Sequence, residues 1–140
     1  MTNTATVCPR QEESSIVLIV DDNVSGAQTL QMLLSLEGYE VVVASTGKRA
    51  IELYNQYHPD IVLLDIGLPD TDGYSVANHL RNRNSTPPPL IIAMTGWGDL
   101  EHRQRAIAAG CDYHLSKPVH FDDLQSMLKK DPKALPSRCV

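Results

Sequence analysis

Four runs of consecutive apolar residues, at 16–20, 41–44, 61–64 and 90–94, punctuate the chain, and a weaker fifth lies around Tyr113 to Leu115. They are short, rich in Val and Ile, and nearly continuous rather than alternating. Such runs suit strands buried on both faces of a parallel sheet, because a one-sided sheet would show a polar residue at every second position. The segments between them carry apolar residues at helical spacing instead. Ala27, Leu30 and Leu34 share one face, as do Ala50, Leu53, Tyr54 and Tyr57, then Val76, Ala77 and Leu80. Ala106 with Ile107, and Phe121, Leu124 and Leu128, continue the series. Gly38 and Gly110 follow the first and fourth helical segments as C-terminal caps. Pro59 and the run Pro87-Pro88-Pro89 stop the second and third before the next strand. Asp72 or Asp99 offers a cap at a helix start.

Strands and helices therefore alternate five times. Joined by right-handed crossovers, they give an α/β doubly wound parallel sheet with helices on both faces. In that architecture the working crevice lies beyond the carboxyl ends of the strands. At 140 residues the chain fits one domain over 15–130, with tails at 1–14 and 131–140. No disulfide or metal staple is needed at that size. The three cysteines, Cys8, Cys111 and Cys139, are odd in number and widely spaced, so neither a disulfide framework nor a zinc site is indicated. Cys111 reads as a buried small hydrophobe. A formal charge of −5 and the lack of a basic run argue against nucleic acid as a partner. No apolar run is long enough for a membrane span, and residues 1–15 lack the core of a signal peptide, so a cytoplasmic location is expected.

Polar chemistry collects at the strand ends. The first run leads into Asp21-Asp22, the third into Asp65, the fourth ends at Thr95, and the fifth is followed by Lys117-Pro118. Three converging carboxylates repel one another unless a cation sits among them. Hard oxygen donors in a small cluster suit Mg2+ (or Mn2+), an ion that favours a phosphate as a further partner. A nearby Lys and a Thr hydroxyl supply a positive charge and a hydrogen-bond donor for phosphoryl oxygens. Taken singly, each residue has an ordinary reading. Asp70 and Asp72 read as turn formers or helix caps, Lys117 as a surface charge and Thr95 as a strand-end residue. Four strand ends carrying them together weaken that reading.

The segments Val20-Asp21-Asp22-Asn23, Leu64-Asp65-Ile66-Gly67-Leu68-Pro69-Asp70-Thr71-Asp72-Gly73, Met94-Thr95-Gly96 and Lys117-Pro118 resemble the signature of response-regulator receivers. The spacing from Asp65 to Thr95 to Lys117 is similar to that of the chemotaxis response regulator. The stretch from Gly110 to Pro118 resembles receivers attached to, or partnered with, hybrid sensor histidine kinases. The resemblance implies a flavodoxin-like (βα)5 fold with strand order 2-1-3-4-5. It implies that Asp65 accepts a phosphoryl group from a histidine kinase or a histidine phosphotransfer protein. Asp22 would ligate Mg2+ directly, Asp21 would lie nearby or act through water, and the Gly67 carbonyl would complete the ligands along with Asp65. Lys117 would pair with carboxylate or phosphoryl oxygens, and Thr95 would turn toward the phosphoryl group. The Lys117-Pro118 peptide would be cis. The protein would be a regulatory phosphoacceptor rather than an enzyme, acting on a downstream partner that the sequence does not name. Nothing after Lys130 is long enough for an output domain, so a stand-alone receiver, or a piece of a hybrid kinase, is expected.

Three positions depart from the commonest pattern or tune it. Where many receivers carry Tyr or Phe, three residues before the lysine, this chain has His114. It is either a partly exposed ring with no switching role or a switch element with added pH sensitivity, since His titrates near neutrality. Gly67 offers no side chain to position a hydrolytic water, whereas Trp97 would shield the acyl phosphate. His58, His79, His102 and His120 lack ligand spacing and read as surface residues. A haloacid-dehalogenase-like phosphatase would need a second Asp two residues after Asp65, where Gly67 stands. A flavodoxin-like FMN binder would need a Ser/Thr/Gly-rich loop after the first strand. A pseudo-receiver that never takes phosphate usually lacks the acids or the lysine, and all are present here.

Overall fold

In a computed structural model the described residues are 15–68, 70, 73–81, 89–96 and 100–130. The expected tails at 1–14 and 131–140, and Trp97, Asp72, Asp99, Pro87 and Pro88, lie outside them. The chain alternates as expected: β1 Ile16–Val20, α1 Val24–Leu36, β2 Glu40–Ala44, α2 Gly47–Tyr57, β3 Ile61–Asp65, α3 Gly73–Arg81, β4 Leu90–Thr95, α4 Leu100–Ala108, β5 Tyr113–Ser116 and α5 Phe121–Lys130. All four strand pairings are parallel and the order is β2-β1-β3-β4-β5, a flavodoxin-like doubly wound sheet.

The apolar runs end up where their composition demands. β3 and β4 are buried along their whole length, because they lie inside the sheet with helices on both faces. β2 is an edge strand, and its Val41, Val42 and Val43 are only half-buried. Side chains of alternating residues feed two cores. Leu18, Val20, Val62, Leu64, Ile91 and Ala93 meet α2, α3 and α4, whereas Val17, Ile19, Ile61, Leu63, Ile92 and Met94 meet α1 and α5. The helical faces read from the sequence are buried at Ala27, Leu30, Leu34, Ala50, Leu53, Tyr54, Val76, Ala77, Leu80, Ala106, Leu124 and Leu128. Ile107 departs from its expected face and is 59% exposed.

Helix ends follow local chemistry. Gly38 and Gly110 hold positive φ of 102° and 107°. Each closes a terminal turn in which the next amide returns to the helix, Tyr39 N–H to the Leu34 carbonyl and Cys111 N–H to the Ala106 carbonyl. Asn23 caps α1 by accepting from Gly26 N–H, and Thr46 caps α2 by accepting from Arg49 N–H. At the end of α2, His58 takes the left-handed conformation and Pro59 follows it.

Candidate functional site

The sheet register assembles the site. Val20 of β1 stands beside Leu64 of β3, so the residues that follow, Asp21 and Asp65, emerge side by side at the carboxyl ends of adjacent strands. This is the switch point of the winding, where α1 lies on one face and α2 and α3 on the other. Asp65 and Thr95 prove to be the last residues of their strands, fixed by the ladder itself. Asp21, Asp22 and Asp65 each offer a carboxylate oxygen, and these atoms all lie within 4.8 Å of one another. Asp21 and Asp65 are buried and Asp22 is exposed.

Each carboxylate is held by short-range contacts. Asn23 N–H donates to Asp21 Oδ1 at 2.9 Å and Gly67 N–H to Asp65 Oδ1 at 3.0 Å. Lys117 Nζ sits 2.9 Å from Asp65 Oδ2 and 3.5 Å from Asp21 Oδ2. Burial, reinforced by Asp65, pushes the Asp21 carboxyl above its ordinary range, although Asn23 N–H and the Lys117 charge oppose it. Burial also works against the Lys117 charge, but the hydrogen bond to Asp65 and the field of Asp21 outweigh it and leave the ammonium harder to deprotonate than usual. One lysine thus compensates the acid cluster incompletely. The donor set, three carboxylates with hard oxygens, fits a small divalent cation.

The second half of the site is polar. Lys117 N–H donates to the Thr95 carbonyl at 2.6 Å, tying the end of β5 to that of β4. The Lys117-Pro118 peptide is cis. Thr95 is buried, and its Oγ1 lies 2.7 Å from His114 Nε2. His114 is half-buried, with its ring against Thr95. Gly67 is exposed, and among the described residues a Cβ there would meet only Asp65 Oδ1 at an ordinary 3.9 Å. Trp97 lies outside the described residues. Asp70 does cap a helix, but a distant one. Its carboxylate accepts from Gly47 N–H at 2.9 Å and Lys48 N–H at 3.2 Å, the first amides of α2. His58, His79 and His120 are exposed.

Sequence reasoning missed two supports. Gly73 opens α3 pressed against the end of β3, where a Cβ would lie 2.5 Å from the Ile66 Cα and 2.7 Å from the Asp65 carbonyl oxygen. Its presence after the acids was visible, but its reason was not. Arg81 reaches from the end of α3 to the Gly110 carbonyl (3.0 Å) and to Asp112 Oδ2 (2.7 Å), and that oxygen also accepts from Ile91 N–H. No local signal marks either contact. Beside the acids, a groove of about 580 Å3 runs between α1 and the start of α5, over Thr29, Leu30, Leu33, Val119 and Phe121.

Known proteins resemble this chain in sequence and fold. A family model described as the response regulator receiver domain matches residues 17–129. Over 115 residues the chain is 34% identical to the transcriptional regulatory protein KdpE of Mycobacterium tuberculosis, covering 82% of this chain and 50% of that protein. Among solved structures, the chemotaxis response regulator CheY4 of Vibrio cholerae superposes with a TM-score of 0.78 at 27% identity, covering 83% of this chain and 97% of that one. A CheY-like response regulator receiver domain protein from Methanospirillum hungatei JF-1 does so with a TM-score of 0.76 at 30% identity, covering 83% and 91%. The chain spans about half the length of the curated relatives it matches. Among the described residues no helix is long and apolar enough to cross a membrane.

Proposed function

This chain belongs to the response-regulator receiver family of two-component signal transduction, and on that premise we propose that it accepts a phosphoryl group from a phosphohistidine onto Asp65, with Mg2+ held by Asp21, Asp22, Asp65 and the Gly67 carbonyl. The observation that carries this reading is the ion-paired cluster in which Lys117 Nζ lies 2.9 Å from Asp65 Oδ2 among three converging carboxylates. When bound, Mg2+ supplies neutralising charge to the phosphoryl oxygens.

Phosphoryl transfer asks little covalent chemistry of the protein beyond positioning and charge. An Asp65 carboxylate oxygen bonds to phosphorus as the N–P bond of the donor breaks, and the imidazole nitrogen leaves with the bonding pair. Lys117, already against Asp65, offers its ammonium to the arriving phosphoryl oxygens. The Thr95 hydroxyl, now within hydrogen-bond reach of His114, turns to donate to the same group. That movement reshapes the surface of α4, β5 and α5 and changes what binds there. The donor is a histidine kinase or a histidine phosphotransfer protein, and the chain acts as a regulatory phosphoacceptor rather than as an enzyme with a turnover of its own.

Incubation with acetyl phosphate and Mg2+ followed by intact mass spectrometry tests this. The wild-type protein gains one phosphoryl group, and Asp65→Asn gains none. An unchanged wild-type mass, under conditions that label another receiver, would instead make the chain an interaction module that is never phosphorylated.

A further inference from the structure

Three of the described residues that follow β3, Gly67, Asp70 and Gly73, are each held by hydrogen bonds. Gly67 N–H donates to Asp65 Oδ1 at 3.0 Å. Gly73 N–H donates to the Ile66 carbonyl at 3.0 Å. Between them in the chain, the Asp70 carboxylate spans Gly47 N–H and Lys48 N–H. These two amides belong to the first turn of α2, where a helix has no internal acceptor for them. α2 already has its own cap, because Thr46 Oγ1 accepts from Arg49 N–H at 3.1 Å. Asp70 therefore adds a second cap, delivered from 23 residues downstream. The Gly47 amide, opposed only by slight burial and aided by that of Lys48, holds the Asp70 carboxyl below its ordinary range. α2 is a firm platform for such a tie, since Ala50, Leu53 and Tyr54 are buried in the core.

We propose that Asp70 is a positioning residue for the metal pocket, holding the loop that carries Gly67 against the N-terminus of α2. The inference rests on the Mg2+-dependent reading given above. Asp65 is placed by its ladder pairing with Met94, and Asp21 by its N–H on the Ala44 carbonyl, so neither backbone depends on this tie. The Gly67 carbonyl has no ladder partner, so its place depends on how the loop is anchored. Cutting the anchor at Asp70 leaves the strand-end backbone where it is and loosens the one ligand that comes from this loop.

The experiment compares Mg2+ affinity, by calorimetric titration, in the wild type, Asp70→Ala, Asp70→Asn and Thr46→Ala, with thermal unfolding of each. Asp70→Ala should weaken Mg2+ binding by about tenfold, the scale typical for partners that orient metal ligands. Asp70→Asn keeps one carbonyl acceptor and should fall between it and the wild type. Thr46→Ala removes a cap from the same helix end without touching the loop, so it should lower the unfolding temperature and leave Mg2+ affinity unchanged. Equal affinity in Asp70→Ala and the wild type overturns the proposal, as does equal weakening in Thr46→Ala. A wild type that binds no Mg2+ overturns the phosphoacceptor reading itself and this inference with it.

Discussion

His114 Nε2 and Thr95 Oγ1 share a hydrogen bond of 2.7 Å across two adjacent parallel strands. The register explains it. Thr95 pairs with Ser116 and Ala93 with His114, so Thr95 and His114 are diagonal neighbours on one face of the sheet, the face that meets α4. With Nε2 unprotonated the hydroxyl donates to the ring, and with Nε2–H present the ring donates to the hydroxyl. A hydroxyl that turns its proton to a phosphoryl oxygen can keep His114 only as a donor. The two residues should therefore act as a unit. The phosphorylation mimic beryllofluoride should change partner binding less in His114→Phe and in Thr95→Val than in the wild type. The double variant should be no worse than the more impaired single one, since coupled residues are non-additive. Strictly additive losses would separate them.

Lys117 would compete with a bound cation for the same oxygens. Removing it should leave Mg2+ affinity unchanged or raised, while lowering the stability of the metal-free protein, because Asp65 and Asp21 lose their counter-charge. Titration of Lys117→Ala by calorimetry checks this, and a sharp fall in affinity would show that the lysine helps to build the metal site.

Two acids of the site region should respond to pH with opposite sign. The Asp70 carboxyl is held below its ordinary 3.8, so its ionised form favours the folded state. That stabilisation is complete above 3.8 and disappears as pH falls through the lowered value. The Asp21 carboxyl is raised above 3.8 by burial, so its ionisation costs stability above the raised value and costs nothing below 3.8. In chelator, Asp21→Asn should melt higher than the wild type at pH 7, and the gain should vanish near pH 3. Thermal unfolding across that range decides it, and an Asp21→Asn that melts lower at pH 7 would contradict the raised pKa.

Gly73→Ala should destabilise the fold severely. Its new Cβ would stand 2.5 Å from Ile66 Cα and 2.7 Å from the Asp65 carbonyl oxygen, backbone atoms that cannot step aside alone. Overpacking of this kind costs about 1–3 kcal/mol or more. The displaced segment includes Asp65, so urea unfolding and acetyl phosphate labelling should both be impaired. Near wild-type behaviour in both would mean that α3 can slide away from β3.

Cys111 is buried, and desolvation, helped by Asp112, pushes its thiol up to about 12. In a protein with Cys8 and Cys139 replaced by Ser, a thiol reagent at pH 8 should label Cys111 only as fast as the fold opens. Prompt labelling of the native protein would show that the start of β5 is exposed.

Much of this protein was legible in one dimension. Apolar runs of β-branched residues gave β1 to β5 within about a residue at each end, because burial on both faces demands continuous apolar sequence. Gly38 and Gly110 marked helix ends because only a residue without Cβ adopts positive φ cheaply. Asp21, Asp65, Thr95 and Lys117 stood out because the alternation of strands and helices sends every strand's carboxyl end to the same edge. Trp97, singled out through the family resemblance, lies outside the described residues.

Periodicity and the handedness of the crossovers suffice for the set of elements, their winding and the edge at which the chemistry gathers. The neighbours of each polar group follow instead from packing in three dimensions. His114 finds Thr95 through strand register, Lys117 bridges two carboxylates, Arg81 reaches Asp112, and Asp70 caps a helix that ended long before it in the chain. Each of these contacts joins residues at least 19 positions apart. Propensity and periodicity act within a few residues, whereas a hydrogen bond or ion pair depends on distances of a few ångströms that packing alone sets.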